Sequence, residues 1–447
     1  MDFKGKKILV VGLARSGMAA IKVLKSLGAE VTLSESKKKE DIKEIAALEE
    51  LGVEVVGQTA EVFEGDYDLC VKNPGVPFRS PNMKRLEERG IQIITEIELA
   101  FIVSKPQHYV AITGTNGKTT TTTLTYEILN KAFPGKAHLC GNIGIPLCEI
   151  VMNNNLMNEG GHYIALEISN FQLVNIDKFR PEVATIINLT PDHIDFMGGL
   201  DAYYKSKTEV YRNMRDSDIF ILNGDDPVLK EYTEKYPINC KTEKFSIEST
   251  DADSFFKDGY FFIGREKVLS QDCVKVVGKH NLQNVMIAVS AAKALGISNE
   301  IISEAVSEFK GVEHRIEFVR ELNGIKYYND SKGTNTDATV TALKSFDKGV
   351  ILLLGGFEKG LPMDDVKRHL GCVKKVIGFG ACGKRLVDDL VGEDGIVVEN
   401  LVQALDEANK IAESGDTVLL SPTTSSFDQY SCFEERGEHF KNLVNAL

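Results

Sequence analysis

The chain has 447 residues, 43% hydrophobic and 26% charged, which are the proportions of a globular protein. Its 52 Lys and Arg stand against 65 Asp and Glu, a net charge of −13, and a general nucleic-acid binder would need a basic face instead. No run of about eighteen apolar residues occurs, so membrane insertion is not expected. At about 150 residues per domain the length predicts two to four domains.

The eight scattered cysteines form no CxxC pair and are expected to be reduced thiols of a cytoplasmic protein. The short apolar N-terminus, interrupted at Arg15, reads as a first strand rather than an export signal. Residues 7–12 (KILVVG) predict that strand, residues 18–27 a helix stopped by Gly28, and residues 30–34, 68–72 and 91–94 further strands. Strands alternating with helices imply a parallel sheet covered by helices. Between the first strand and helix lies GLARSG (12–17), an imperfect dinucleotide fingerprint with Ala14 where a glycine is wanted. Glu35 follows about twenty residues on, where a ribose-binding acid would stand. Taken alone, this segment fits an NAD-dependent dehydrogenase. A boundary is expected at residues 103–108.

Residues 109–113 predict a strand and residues 119–131 a helix, joined by TGTNGKTT (113–120). Glycines let backbone N–H groups turn towards a phosphate, and the helix adds its positive end. Lys118 supplies charge for the outer phosphates, and Thr119 a hydroxyl for Mg²⁺. The usual loop has a glycine at position 112, where Ile112 stands; Gly114 leads instead, so the loop is a shortened variant. Strands are expected at 163–167, 184–188 and 218–223, short β-like pieces between 242 and 277, and apolar helices at 284–295 and 301–309. Asn281 and Asn284 precede the first of these helices, so capping is one reading for them. After a boundary at 310–312, strands are expected at 316–322, 325–328, 349–354, 375–379 and 416–420. The expectation is three α/β domains over residues 1–104, 105–311 and 312–447.

Beyond TGTNGKTT, distinctive segments follow in order. They are Glu167 in LEISNFQL, His193 in NLTPDHID, Lys207 in YYKSKTEVY, NGDD (223–226) and GKHNLQN (278–284), then EHRIE (313–317), NDSKGTN (329–335) and SPTTSSFDQYSCFEERG (421–437). Over its whole length the chain resembles the Mur ligases, ATP-dependent acid–amino acid ligases. The resemblance implies a Rossmann-like N-terminal domain, a central P-loop-type ATPase domain with a parallel sheet, and a Rossmann-like C-terminal α/β domain.

It also implies roles. Gly114, Thr115, Asn116, Gly117, Lys118, Thr119 and Thr120 would bind ATP, with Asn281 near the adenine and Arg315 and Asp330 reaching it from the third domain. Two Mg²⁺ would be held by Thr119, Glu167, His193 and Lys207, the lysine as a CO₂-derived carbamate. Lys118, His193 and Lys207 would be catalytic. The UDP-substrate would meet Gly12, Ala14, Arg15, Ser16, Gly17, Glu35, Ser36, Asn73, Gly75, Asn142 and Ser169. The SSFDQY pattern is similar to that of the members that add D-glutamate. By that likeness Lys332, Thr334, Lys359, Ser426, Phe427 and Phe433 would bind it.

The implied reaction joins D-glutamate to UDP-N-acetylmuramoyl-L-alanine, through an acyl phosphate and a tetrahedral intermediate, for peptidoglycan precursors. A cytoplasmic monomer is expected. A nucleotide-binding switch without ligase chemistry is a further reading. On local grounds Glu167 could end its strand in a surface ion pair, Lys207 could lie on a solvated helix face, and Asn142 could shape a turn. Three departures from the family stand out: Asn73 for serine, Gly333 for alanine, and Thr423-Thr424-Ser425 for Ala-Cys-Ala.

Overall fold

A computed structural model describes residues 2–191 and 197–447, and it is mixed α/β with three sheets. Two compact units emerge: Met1–Cys273 with Gln283–Val306, and Val274–Leu282 with Ser307–Leu447.

The first unit holds two sheets. In the first, β1 (Lys7–Val11), β2 (Glu30–Glu35), β3 (Glu54–Gly57), β4 (Leu69–Lys72) and β5 (Ile93–Thr95) run parallel in the order β3-β2-β1-β4-β5. The run KILVV buries four of its five residues because helices and loops cover both faces of the sheet. The second sheet has the order β14-β13-β12-β11-β10-β9-β6-β8-β7. Its parallel part comprises β6 (His108–Thr113), β7 (Ala137–Gly141), β8 (Tyr163–Glu167), β9 (Val183–Ile186), β10 (Ile219–Asn223), β11 (Lys241–Ser246) and β12 (Ser254–Lys257). The irregular stretch expected after residue 242 is more ordered than its composition suggests. Here β13 (Tyr260–Ile263) and β14 (Glu266–Ser270) extend the sheet as an antiparallel meander.

The second unit carries β15 (Glu317–Leu322), β16 (Ile325–Asn329), β17 (Val350–Gly355), β18 (Val373–Phe379), β19 (Ile396–Val397) and β20 (Thr417–Leu420). Their order is β15-β16-β20-β17-β18-β19, and only β15 runs antiparallel to its neighbour. Both VILLLG and TVLL are buried throughout, as central parallel strands require.

Two helices begin earlier than expected. The first spans Ala14–Ser26, so Arg15, Ser16 and Gly17 form its opening turn. The other spans Lys279–Ala294, which puts Asn281 and Asn284 inside it rather than at its cap. Asn281 Nδ2 instead donates to the carbonyl of Val277 at 2.6 Å, one turn back. Strand β7 escaped the sequence reading because AHLCG has no β-branched residue.

All eight cysteines are free thiols, and Cys70, Cys140, Cys148 and Cys382 are buried. No helix among the described residues is long and apolar enough to cross a membrane.

Helix Glu96–Val103 joins the two sheets of the first unit. The carboxyl oxygens of Glu98 accept the N–H groups of Asp177, Lys178 and Phe179 at 3.1, 2.8 and 2.9 Å. Thr95 Oγ1 donates to the carbonyl of Gln172 at 3.1 Å. Glu96 is fully buried: its Oε1 accepts the Cys148 N–H, and its Oε2 has no hydrogen-bond partner among the described residues. Burial pushes this carboxyl up to about 7 from 4.5. The native state therefore keeps a proton that the unfolded chain releases between those values, and stability falls as pH rises through that window. Burying the ionised form costs about 3 kcal/mol at neutral pH and above. Glu96→Gln cannot ionise and is expected to be more stable than the parent at pH 8, with the gain shrinking towards pH 5. Denaturant unfolding of both proteins at the two pH values checks this; a pH-independent difference would refute it.

Candidate active site

The parallel strands of the second sheet set the site by their carboxyl ends. Ile112 pairs with Glu167 and Thr113 with Ile186, while Gly141 also pairs with Glu167. The loop after β6, the turn after β7, Glu167 itself and the segment after β9 therefore leave the sheet along one edge, where α/β folds collect ligands.

The loop after β6 needs its two glycines. Gly114 has φ +149°, and a Cβ there would lie 3.1 Å from the Ile187 backbone nitrogen. Gly117 has φ +84°, and a Cβ would lie 2.5 Å from Asn284 Oδ1. Asn188 Oδ1 accepts the N–H of Thr115 at 3.2 Å and of Asn116 at 2.9 Å, and its Nδ2 donates to the Asn116 carbonyl. Thr115 Oγ1 donates to the Thr190 carbonyl at 3.0 Å and lies 3.2 Å from Tyr203 Oη. Helix Lys118–Ala132 starts directly after Gly117, with Thr119 and Thr120 in its first turn. The first-turn N–H groups of a helix have no partner within it and suit an anion.

Two lysines meet at one carbonyl. Lys118 Nζ donates to Gly114 O at 3.0 Å and to Thr115 O at 2.7 Å. Lys207, on helix Leu200–Thr208, donates to the same Gly114 O at 2.8 Å and is only 1% exposed. This corrects the solvated-face reading of Lys207: its ammonium also lies 4.6 Å from the ring centre of Tyr203. His193 lies outside the described residues.

Glu167 is 2% exposed, which excludes a surface ion pair. Asn142 Nδ2 donates to its Oε1 at 2.8 Å, and the Asn142 N–H to its carbonyl at 2.8 Å. Its Oε2 is buried with no hydrogen-bond partner among the described residues, as is Thr113 Oγ1 on the neighbouring strand. A buried carboxylate oxygen left unpaired is costly. Carboxylate and hydroxyl oxygens of this kind are the hard donors that Mg²⁺ takes. Ser169, also near this edge, caps helix Asn170–Leu173 in a reciprocal arrangement with Gln172.

In the first sheet, Gly12 and Gly17 are forced by close approach, since a Cβ on Gly17 would lie 2.2 Å from the Gly12 carbonyl. Ala14 takes φ +27°, where glycine is favoured. Glu35 is committed to this turn: Oε2 accepts the Leu13 N–H at 2.7 Å, and Oε1 accepts from the Ser36 N–H and hydroxyl and the Lys37 N–H. Burial raises its pKa, but these hydrogen bonds outweigh it and the net shift is downward. Asn73 Oδ1 accepts the Gly75 N–H at 3.0 Å, closing the neighbouring turn.

In the second unit the ends of β16, β17 and β20 carry residues 330–335, 355–360 and 421–426. Asp330 is buried; its Oδ1 accepts the Ile316 N–H and its Oδ2 the Ser421 hydroxyl at 2.8 Å. Burial raises its carboxyl to about 6, against the pull of Arg315. Arg315 sits between His314 and Ile316, at φ +62° and +45°. For a β-branched isoleucine this is a strained backbone of the kind found at functional sites. A Cβ at Gly333 would lie 2.4 Å from Asp330 Oδ2, so the carboxyl occupies the space of an alanine methyl.

Lys359 Nζ donates to Thr334 O at 3.1 Å, and Lys332 Nζ lies 5.8 Å from the Phe433 ring centre. Ser426 is buried and Phe427 is 68% exposed. The polar Thr423-Thr424-Ser425 segment is buried beneath them, with Thr423 bonded to Thr339 and Thr424 3.6 Å from Cys382 Sγ. Four side chains were not anticipated: Asn188, Tyr203, His280 and Arg436. Burial and the Arg315 charge lower His280 to about 4. Arg436 is fully buried and donates to Ser331 Oγ and to the carbonyls of Ser331 and Thr424. Asn188 lay in the quoted NLTPDHID, but its partners follow from strand register.

Gly117→Ala is expected to cost about 1–2 kcal/mol from the left-handed backbone alone. The displaced Asn284 adds to that loss and the loop loses its shape. Denaturant unfolding and nucleotide titration read both effects; unchanged values in the two would refute the assigned loop geometry.

Known proteins share this architecture. The "Mur ligase MurD-like, N-terminal domain" family model matches residues 6–95, the "Mur ligase middle domain" residues 112–292, and the "Mur ligase, glutamate ligase domain" residues 314–424. The UDP-N-acetylmuramoylalanine–D-glutamate ligase of Geobacillus kaustophilus is 38% identical over 100% of this chain and 98% of its own. That of Thermoanaerobacter pseudethanolicus is 40% identical over 100% of both. Among solved structures, the MurF ligase of Thermotoga maritima in complex with ADP aligns over 94% of this chain and 96% of its own, with TM-score 0.60 at 17% identity. The UDP-N-acetylmuramate–alanine ligase of the same organism aligns over 99% of each, with TM-score 0.57 at 19% identity, and these two likenesses speak to the fold alone. With all three domain models matched in order and relatives alike from end to end, the chain belongs to the Mur ligase family.

Proposed function

We propose that this chain uses ATP to join D-glutamate to UDP-N-acetylmuramoyl-L-alanine in peptidoglycan precursor synthesis, acting as a cytoplasmic monomer. The full-length likeness to proteins named for that reaction supports the substrates. One observation carries the chemistry: a buried oxygen of Glu167, without a hydrogen-bond partner among the described residues, stands at the strand edge that also bears the glycine loop, to whose Gly114 carbonyl Lys118 and Lys207 donate. In this reading residues 1–104 bind the UDP-substrate, 105–311 bind ATP, and 312–447 bind D-glutamate.

A carboxylate does not react with an amine in water unless it is activated. Phosphoryl transfer from ATP makes an acyl phosphate, the D-glutamate amine attacks it, and the tetrahedral intermediate expels phosphate. The protein's work is positioning and charge neutralisation. Residues 114–120 cradle the phosphates, and Lys118 turns from the Gly114 and Thr115 carbonyls to the outer phosphate. Asn281, Arg315 and Asp330 complete nucleotide binding. Thr119, Glu167, His193 and Lys207 are the residues that would hold Mg²⁺, which when bound screens phosphate charge. A carbamate on Lys207 would change a cation into an anion at this buried position, close to Lys118, which shares the Gly114 carbonyl.

Gly12, Ala14, Arg15, Ser16, Gly17, Glu35, Ser36, Asn73, Gly75, Asn142 and Ser169 form or support the UDP-substrate site. Lys332, Thr334, Lys359, Ser426, Phe427 and Phe433 receive D-glutamate. The dehydrogenase reading is set aside, because the relatives alike over the full length are named for the ligase reaction.

Lys207→Ala is expected to bind ATP yet lose at least about a hundredfold in turnover. A small carboxylic acid should partly restore it, and Lys207→Arg should stay inactive. An active arginine variant would show that a positive charge suffices. For the acceptor, ADP release is measured with D-glutamate, L-glutamate, L-alanine and L-lysine. D-Glutamate should be strongly preferred, and Ser426→Ala should raise its KM about tenfold or more while leaving the KM for ATP unchanged. Preference for another acceptor would overturn the specificity and leave the ligase reading standing.

A further inference from the structure

Lys72, at the end of β4, lies just before the NPGV turn and belongs to none of the site residues above. It is 1% exposed, and among the described residues no carboxylate forms an ion pair with it. Its ammonium donates instead to the carbonyls of Asn73 at 3.2 Å and Val76 at 3.0 Å. The turn at residues 73–76 thus wraps a buried cation. That same turn is a wall of the Gly12 turn: a Cβ on Gly12 would lie 3.0 Å from Val76 Cγ2 and 3.1 Å from Asn73 Cβ. Lys72 and Gly12 are further tied through the sheet, since Lys72 pairs with Val11 and the Asn73 N–H donates to the Val11 carbonyl at 2.9 Å.

We propose that Lys72 is a positioning residue for the nucleotide diphosphate of the UDP-substrate, its buried ammonium fixing the 73–76 turn against Gly12 and adding positive potential beneath the anion. The inference rests on the reading of the first sheet as the UDP-substrate site. Two carbonyls hold the ammonium in place without cancelling its charge, so an incoming diphosphate meets a cation that water does not screen.

Burial lowers the lysine to about 8, so the charge is only partly present under basic conditions. Among the described residues Cys70, two residues back on the same face of β4, is the ionisable side chain that bears on it, and burial pushes that thiol up to about 12. Across the strands Lys72 is flanked by Val11 and Thr95, and the cluster around Cys70 holds Leu9, Phe63, Met83 and Leu86, with Tyr67 packed against it as an ionisable neighbour of Cys70 that burial raises above its ordinary range. An anion bound nearby favours the protonated lysine, so binding takes up a fraction of a proton above pH 8, and affinity falls as pH rises.

The test is calorimetric titration of the full-length protein with UDP and with UDP-N-acetylmuramoyl-L-alanine at pH 7 and pH 9, in buffers of different ionisation enthalpy. The parent should take up protons at pH 9 and bind several-fold more weakly than at pH 7. Lys72→Met keeps the length and loses the charge. It should bind both ligands about tenfold or more weakly at pH 7. It should retain only the uracil ring's own titration, with the KM values for ATP and D-glutamate unchanged. Parent-like affinity and pH profile in the methionine variant would overturn the proposal. Should that variant fail to fold, absence of proton uptake by the parent beyond that of the uracil ring would overturn it as well. Loss of the ligase reading shows itself separately, as no ADP release from the parent with its three substrates.

Discussion

Parallel pairing is the constraint from which the site follows. Once β6, β8 and β9 run in one direction, Gly114, Glu167 and Asn188 must leave the sheet along one edge, with β7 delivering Asn142 beside them. Backbones that converge so closely leave little room for side chains. A Cβ on Gly141 would lie 2.2 Å from the Glu167 carbonyl, and one on Gly355 would lie 1.9 Å from the Phe379 carbonyl. The glycines at these strand ends follow from the sheets themselves, and the exposed backbone they leave is what an anionic ligand can approach.

A second theme is how the chain places positive charge. Its net charge is −13, yet its proposed ligands are polyanions. Lys72 is held by the carbonyls of Asn73 and Val76. A carbonyl orients a cation and leaves its charge in force, whereas a carboxylate would cancel it. Local potential can therefore oppose the overall balance of the chain.

The fold was largely legible where a pattern is local. Continuous apolar runs gave β1, β17 and β20, and the glycine loop was readable because its backbone geometry is written in its own residues. What escaped depends on neighbours distant in sequence. The register of β6 and β9 brings Asn188 to Thr115, 73 residues away, and nothing within NLTPD announces that. Asn281 looked like a cap because the apolar pattern begins late, but the helix starts at Lys279, two residues earlier. Lys207 looked solvated among its charged neighbours, and only tertiary packing draws it in to Gly114. Lys72 read as the polar end of a strand, since the turn that covers it is recognisable only once folded.

The burial of the thiols has a practical consequence. The thiolate is the form that alkylating reagents attack. Burial pushes Cys70 up to about 12 and Cys240 to about 11, raises Cys140 and Cys148 well above their ordinary range, and also raises Cys372 and Cys382. Cys240, Cys273, Cys372 and Cys432 are only partly buried, and Cys432 immediately precedes Phe433. A maleimide dye should therefore leave the buried Cys70, Cys140, Cys148 and Cys382 unmarked in the folded chain and reach them only as the cores open, so that their labelling times the opening of each unit.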